Sequence, residues 1–98
     1  MGKQGVSLAK RAFTQIQGQY LAFIRAYTLI HAEPPAERDM QRFFRVTAPT
    51  IHSMILTMES HGFIVRTPGK ARSIRILVPS NDLPALQEPA EGKVGGAT

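Results

Sequence analysis

The doublet Pro34-Pro35 constrains this chain more than any other feature, because it cuts off the clearest run of helical apolar spacing. Upstream of it Ile16, Tyr20, Phe23, Ile24, Tyr27 and Ile30 recur at helical intervals. At 100° per residue they fall within a stripe about 120° wide, the width of a core-facing side. Thr14, with a hydroxyl able to accept from an unpaired backbone N–H, is the expected N-cap. Leu21 and Leu29 lie off this stripe and are expected on the surface, bare or covered by the tail or a partner. Whatever follows Pro35 must begin a new element.

That element is short. Glu37 to about Phe44 predicts a second helix with Met40 and Phe44 turned inward, and Glu37 and Asp39 suit its positive N-terminal end. Arg45-Val46-Thr47-Ala48-Pro49 is too short for a strand and fits a tight turn. A third helix starts near Thr47–Pro49, where proline is tolerated, and runs to His61 before Gly62 stops it. Its inward stripe is Ile51, Met54, Ile55 and Met58. The opposite face carries Thr50, His52, Ser53, Leu56, Thr57 and Ser60. Phe63–Arg66 and Ser73–Val78 then read as two strands around the turn Thr67–Arg72. The order is helix, helix, tight turn, helix, hairpin: an α+β, three-helix winged helix-turn-helix with a small β-hairpin wing.

Composition sets the ends. Residues 1–12 hold Lys3, Lys10 and Arg11 with few large apolar groups, and are expected to be a flexible basic arm. Residues 80–98 are rich in Pro, Gly and small polar residues and are expected to form a disordered tail, apart from a turn over Asp82–Gln87 that could pack back. The folded part is then 13–79. The 98 residues are enough for one domain, and no apolar run is long enough for a membrane span or secretory signal. With no cysteine there is no disulfide or thiolate site, and a cytoplasmic location is expected.

Charge narrows the partner. Lys and Arg number 12 against 7 Asp and Glu, a net +5. Between Gln41 and Val78 the cations Arg42, Arg45, Arg66, Lys70, Arg72 and Arg75 face a single acid, Glu59. Such a concentration favours a polyanion. Two helices joined by a tight turn can set the second into the major groove of double-stranded DNA, where small polar side chains reach base edges. Thr50, His52, Ser53 and Thr57 are of that kind, and no acid lies in the first three turns of their helix. Arg42 and Arg45 flank its start, and Lys70 and Arg72, with Ser73 beside them, form the hairpin tip for phosphate contact. RNA is the weaker reading, since Phe43 is the one aromatic expected at the surface for base stacking. An interaction adaptor on the same fold is the alternative, for which the apolar Leu56 on the groove face speaks.

Catalysis finds no support. His31, His52 and His61 lack the spacing to share a metal, and no nucleophile–base set or phosphate-binding glycine loop occurs, so no enzyme, cofactor or metal is expected.

The residues also resemble known families. Val46–Ile55, followed by Met58-Glu59-Ser60-His61-Gly62-Phe63-Ile64, looks like the recognition helix of MarR-like and DtxR-like bacterial winged helices. Phe13 through Pro35, with its Pro-Pro stop, and the hairpin end Arg72–Leu77 resemble the LexA DNA-binding domain. The resemblance spans residues 13–78. It implies DNA contact by Thr47, Pro49, Thr50, His52 and Ser53, with a wing at Lys70 and Arg72. Two positions depart from the LexA pattern: Ala36 stands at the cap before the second helix, and Arg45 at the usual turn glycine. From the residues after 78, neither a LexA-type Ser/Lys self-cleaving domain nor DtxR-type metal-binding helices are expected. The expectation is therefore a bacterial transcriptional regulator that pairs as a homodimer, or with a partner protein, to gain specificity.

Overall fold

Thr14 opens the first helix, α1 (Gln15–His31), through a complete capping box. The Thr14 hydroxyl accepts from the Gln17 N–H at 3.1 Å, and the Gln17 side chain accepts from the Thr14 N–H at 2.9 Å. The computed structural model describes residues 13–89, so the basic arm at 1–12 and the chain beyond 89 lie outside the described residues. α1 ends at Ala32, in the left-handed region at φ 62°, just before the two prolines.

The second helix, α2 (Glu37–Phe44), starts at Ala36, which has no side-chain acceptor. Asp39 supplies half of the missing cap by accepting the Ala36 N–H at 2.8 Å. The third helix, α3 (Ala48–Ser60), is capped by Thr47, and Pro49 falls in its first turn, where no hydrogen bond is lost. Gly62, at φ 81°, then turns the chain, with the Phe63 N–H returning to the Met58 carbonyl at 3.0 Å.

The hairpin is smaller than the β-branched runs suggest. β1 (Ile64–Val65) pairs antiparallel with β2 (Arg75–Ile76), Ile64 opposite Ile76 and Val65 opposite Arg75. The expected strand from Ser73 begins only at Arg75, because Ser73 belongs to the tip, its hydroxyl bonded to the Thr67 N–H and the Lys70 carbonyl.

Leu21, Ile24, Met40, Ile51, Ile55, Met58, Phe63 and Ile64 are all but sealed from solvent and join the three helices to the hairpin. Phe23 and Phe43 stack at 4.7 Å between ring centres, so Phe43 is half-buried against the core rather than displayed. Three α1 residues depart from the periodic reading. Leu21 is fully buried, whereas Ile16 is 48% and Ile30 76% exposed. The physical reason is that α1 is covered on more than one side in its middle and left bare at its ends. Gln17, Gly18 and Tyr20 through Ile24 form one buried block, wider than a single stripe.

The second cover comes from the segment expected to be disordered. After a 3-10 turn at Ser80–Asp82 the chain returns along α1 as far as residue 89, with Leu83 and Leu86 packed on the core. Gln19 holds it with both ends of its amide, donating to the Ala85 carbonyl at 2.9 Å and accepting the Gln87 N–H at 2.8 Å. Gly18 is the point of closest approach: a Cβ there would lie 3.1 Å from both Phe13 and Pro84. The packed unit therefore runs past the expected boundary at 79, with ties to α1 as far as Gln87 among the described residues. Among the described residues no helix is long and apolar enough to cross a membrane.

Candidate nucleic-acid interface

The turn between α2 and α3 fixes the geometry of the site. Arg45 adopts φ 59° and ψ 49°, the left-handed conformation that a glycine takes without strain. Its N–H reaches the Gln41 carbonyl at 2.7 Å and that of Val46 follows at 3.3 Å, closing α2 while the chain reverses into α3. Arg45 thus keeps the shape of the usual turn glycine and adds a cation at the entrance to α3.

The outward face of α3 is solvent-exposed at Thr47, Pro49, Thr50, His52, Ser53, Leu56 and Thr57. The Thr47 and Thr50 hydroxyls lie 2.9 Å apart, and Thr47 Oγ1 also accepts the Thr50 N–H at 3.4 Å. Thr57 donates to the Ser53 carbonyl at 3.0 Å. His52 Nδ1 is 3.3 Å from a Glu37 carboxylate oxygen, so an acid from α2 does reach the edge of this face. Arg66 offsets it, lying 3.7 Å from the same oxygen and 3.1 Å from Glu59. Both acids nearest the face are thereby paired with one arginine of the hairpin.

The wing separates the cations expected to act together. Arg42 and Lys70 are exposed. Arg72 instead turns back into the protein. Its guanidinium lies 3.0 Å from an Asp39 carboxylate oxygen and donates to the Tyr27 hydroxyl at 3.0 Å and the Pro34 carbonyl at 3.4 Å. It thus ties the hairpin to α1 and α2 rather than presenting its charge to an incoming phosphate. Ser73 is likewise occupied: its hydroxyl accepts the Thr67 N–H at 3.0 Å and donates to the Lys70 carbonyl at 2.8 Å, closing the tip.

The tie shows in the acid–base properties of its members. Partial burial alone would push the Asp39 carboxyl up, but the Ala36 N–H bond and the Arg72 charge together hold it below the ordinary carboxylate range. The Tyr27 hydroxyl, first among its neighbours, moves Arg72 still further toward its protonated form. Sequence reading missed Asp39 and Tyr27 as site residues because nothing local connects them to the hairpin.

Among the described residues no group of three histidines or carboxylates is placed to hold a metal ion. The arrangement is one of recognition: an exposed polar helix face, a turn cation before it and a braced basic hairpin beside it.

Comparison with known proteins agrees with this arrangement. The family model for the LexA DNA binding domain matches residues 10–73. A LexA repressor of Pseudothermotoga lettingae is 32% identical over 85 residues, 87% of this chain and 40% of its own length. A LexA repressor of Thermosipho melanesiensis is 27% identical over 84 residues, 86% of this chain and 41% of its own. The LexA repressor of Thermosipho africanus is 31% identical over 67 residues, 68% of this chain and 34% of its own. The chain thus spans less than half the length of these relatives. The matches support the LexA likeness in the sequence and lend nothing to the MarR-like one. With the family model covering well over half of the chain and the helix-turn-helix and hairpin in place, the chain belongs to the LexA DNA-binding domain family.

Proposed function

We propose that this protein binds double-stranded DNA in a sequence-specific manner and acts as a bacterial transcriptional regulator. The observation that carries the reading is the outward face of α3, exposed, mostly polar and with no acid of its own over its first three turns, on a chain of the LexA DNA-binding family. In this reading α3 enters the major groove, with Thr47, Pro49, Thr50, His52, Ser53 and Thr57 against base edges. Arg42 and Arg45 hold phosphates beside the turn, and Lys70 does so from the wing. Arg72 and Ser73 act one step removed, by fixing the shape and position of the hairpin that carries Lys70. The adaptor reading is not favoured, since the family match is to a DNA-binding domain. One winged helix buries too little DNA for high specificity, so a pair of copies on a palindromic site, or a partner, completes recognition.

The test is a titration with random duplex DNA and with a pool of genomic fragments at two salt concentrations. Thr50→Ala should lose the enrichment of particular fragments. Lys70→Glu should weaken binding to all of them and flatten the salt dependence. Failure of any duplex to bind above background at low salt would overturn the proposal.

A further inference from the structure

The hairpin carries an edge that the fold leaves open. The Leu77 N–H donates to the Phe63 carbonyl at 2.8 Å, which makes residues 63 and 77 a hydrogen-bonded pair. With Ile64 opposite Ile76 in the next position, that pair is of the non-hydrogen-bonded kind, and the N–H and C=O of Ile76 point away from β1. The sheet has two strands, and among the described residues no other segment sends a backbone hydrogen bond to Ile74 or Ile76. Pro34 passes beside Ile74 at one end of this edge, and proline has no N–H with which to form a third strand, so Ile76 is the open position.

A groove of about 310 Å³ runs between this edge and the last turns of α1, lined by Ile24, Arg25, Leu29, Pro34, Arg75 and Ile76 among others. Leu29 is 68% exposed there among the described residues. Arg25 and Arg75 are exposed, and no acid lines the groove. We propose that this groove is a strand-addition site for an extended segment of a partner protein in which acidic and apolar residues alternate. The backbone of the segment would pair with Ile76, one side chain in two would rest on Leu29 and Ile76 on the α1 side, where Arg25 also stands, and the others would meet Arg75 on the opposite face.

Charge selects this occupant over a second copy. Pairing β2 with its own image would bring Arg25 and Arg75 against cations, the usual way a charged edge resists self-association. Duplex DNA would use the cations and leave the apolar wall idle. The chain's own residues 90–98 hold one acid, one lysine and a single large apolar residue, Val94, and match the groove poorly. The position is also separate from the proposed reading face, because α3 packs beside β1 and α1 beside β2. The inference therefore stands whether or not DNA binds as proposed.

The test uses the full chain, labelled for NMR, and a short synthetic peptide of alternating Val and Glu. Binding should shift the amides of Leu29, Ile74 and Ile76 and slow hydrogen exchange at Ile76, leaving the amides of Thr50 to Thr57 in place. Leu29→Asp and the double variant Arg25→Glu/Arg75→Glu, all at exposed positions, should each weaken binding about tenfold or more. The same peptide with a methylated backbone should not bind. Equal binding of the methylated peptide, equal binding of a Val–Lys peptide, or no shift at Ile74 and Ile76 would each overturn the proposal. So would duplex DNA shifting the same amides, which would assign the edge to the nucleic-acid interface instead.

Discussion

Replacing Arg45 by glycine should leave a more stable chain than replacing it by alanine, while both lower DNA affinity, a contrast that follows from one backbone angle. Arg45 sits at φ 59° and ψ 49°. The left-handed conformation disfavours an L-residue by about 1–2 kcal/mol, and glycine escapes this. Glycine in turn brings about 0.4–1 kcal/mol of additional unfolded-chain entropy that folding must overcome. Taking the middle of each range, Arg45→Gly is more stable than Arg45→Ala by about 0.8 kcal/mol. For a domain of this size that is a difference in Tm of roughly 3–6 °C. On DNA, loss of one phosphate contact should reduce the slope of log affinity against log salt by about 0.9. Arg45→Ala is the control, since it removes the charge and keeps the left-handed angle. It should match glycine in lost affinity and unfold at the lower temperature of the two. Thermal unfolding followed by circular dichroism and DNA titration at several salt concentrations read the two effects separately. If glycine and alanine unfold at the same temperature, the strain assigned to Arg45 is wrong. If the glycine variant keeps the full salt slope, Arg45 does not hold a phosphate.

Three further outcomes are expected. The lowered Asp39 pKa means folding favours its ionised form, so its contribution is complete above about pH 4 and fades as pH falls through the folded value. Asp39→Asn should flatten the acid limb of a Tm-versus-pH series, and Arg72→Ala should do the same while loosening the hairpin amides in an exchange experiment. Leu21→Ala, at a fully buried position, should be destabilised by about 2–5 kcal/mol in chemical denaturation. Leu29→Ala, at an exposed position of the same helix, should stay within about 0.5 kcal/mol. Gln19→Ala should change global stability by about 1 kcal/mol or less, yet speed hydrogen exchange at the Gln87 amide by freeing the returning segment. Unchanged exchange there would mean Gln19 does not hold it.

Local physics carried most of the fold. Helical spacing, the Thr14 and Thr47 caps, Pro34-Pro35 and Gly62 each act within a few residues of where they stand, so α1, α2, α3 and the hairpin could be placed from the sequence. The α3 face was legible for the same reason: once Ile51, Ile55 and Met58 turn inward, Thr50, Ser53 and Thr57 must turn out. The wing was legible only in outline. Lys70 and Arg72 look alike in sequence, two residues apart on one loop.

Only tertiary structure told them apart. A left-handed turn at Arg72 aims its guanidinium at Asp39, Tyr27 and Pro34, partners that adjoin it solely because the hairpin folds against α1 and α2. Leu21 is buried, and Ile16 and Ile30 are not, because burial depends on what lies across a face and not on the face's own period. The segment 83–89 is too poor in apolar residues to fold alone, and it orders on α1 because Gln19, Gly18 and the core beneath present a finished surface. The sequence by itself determined the elements, their order and the polar face of α3. The tertiary structure decided which charges remain available to a partner, because pairing between distant groups depends on a geometry that no local pattern encodes.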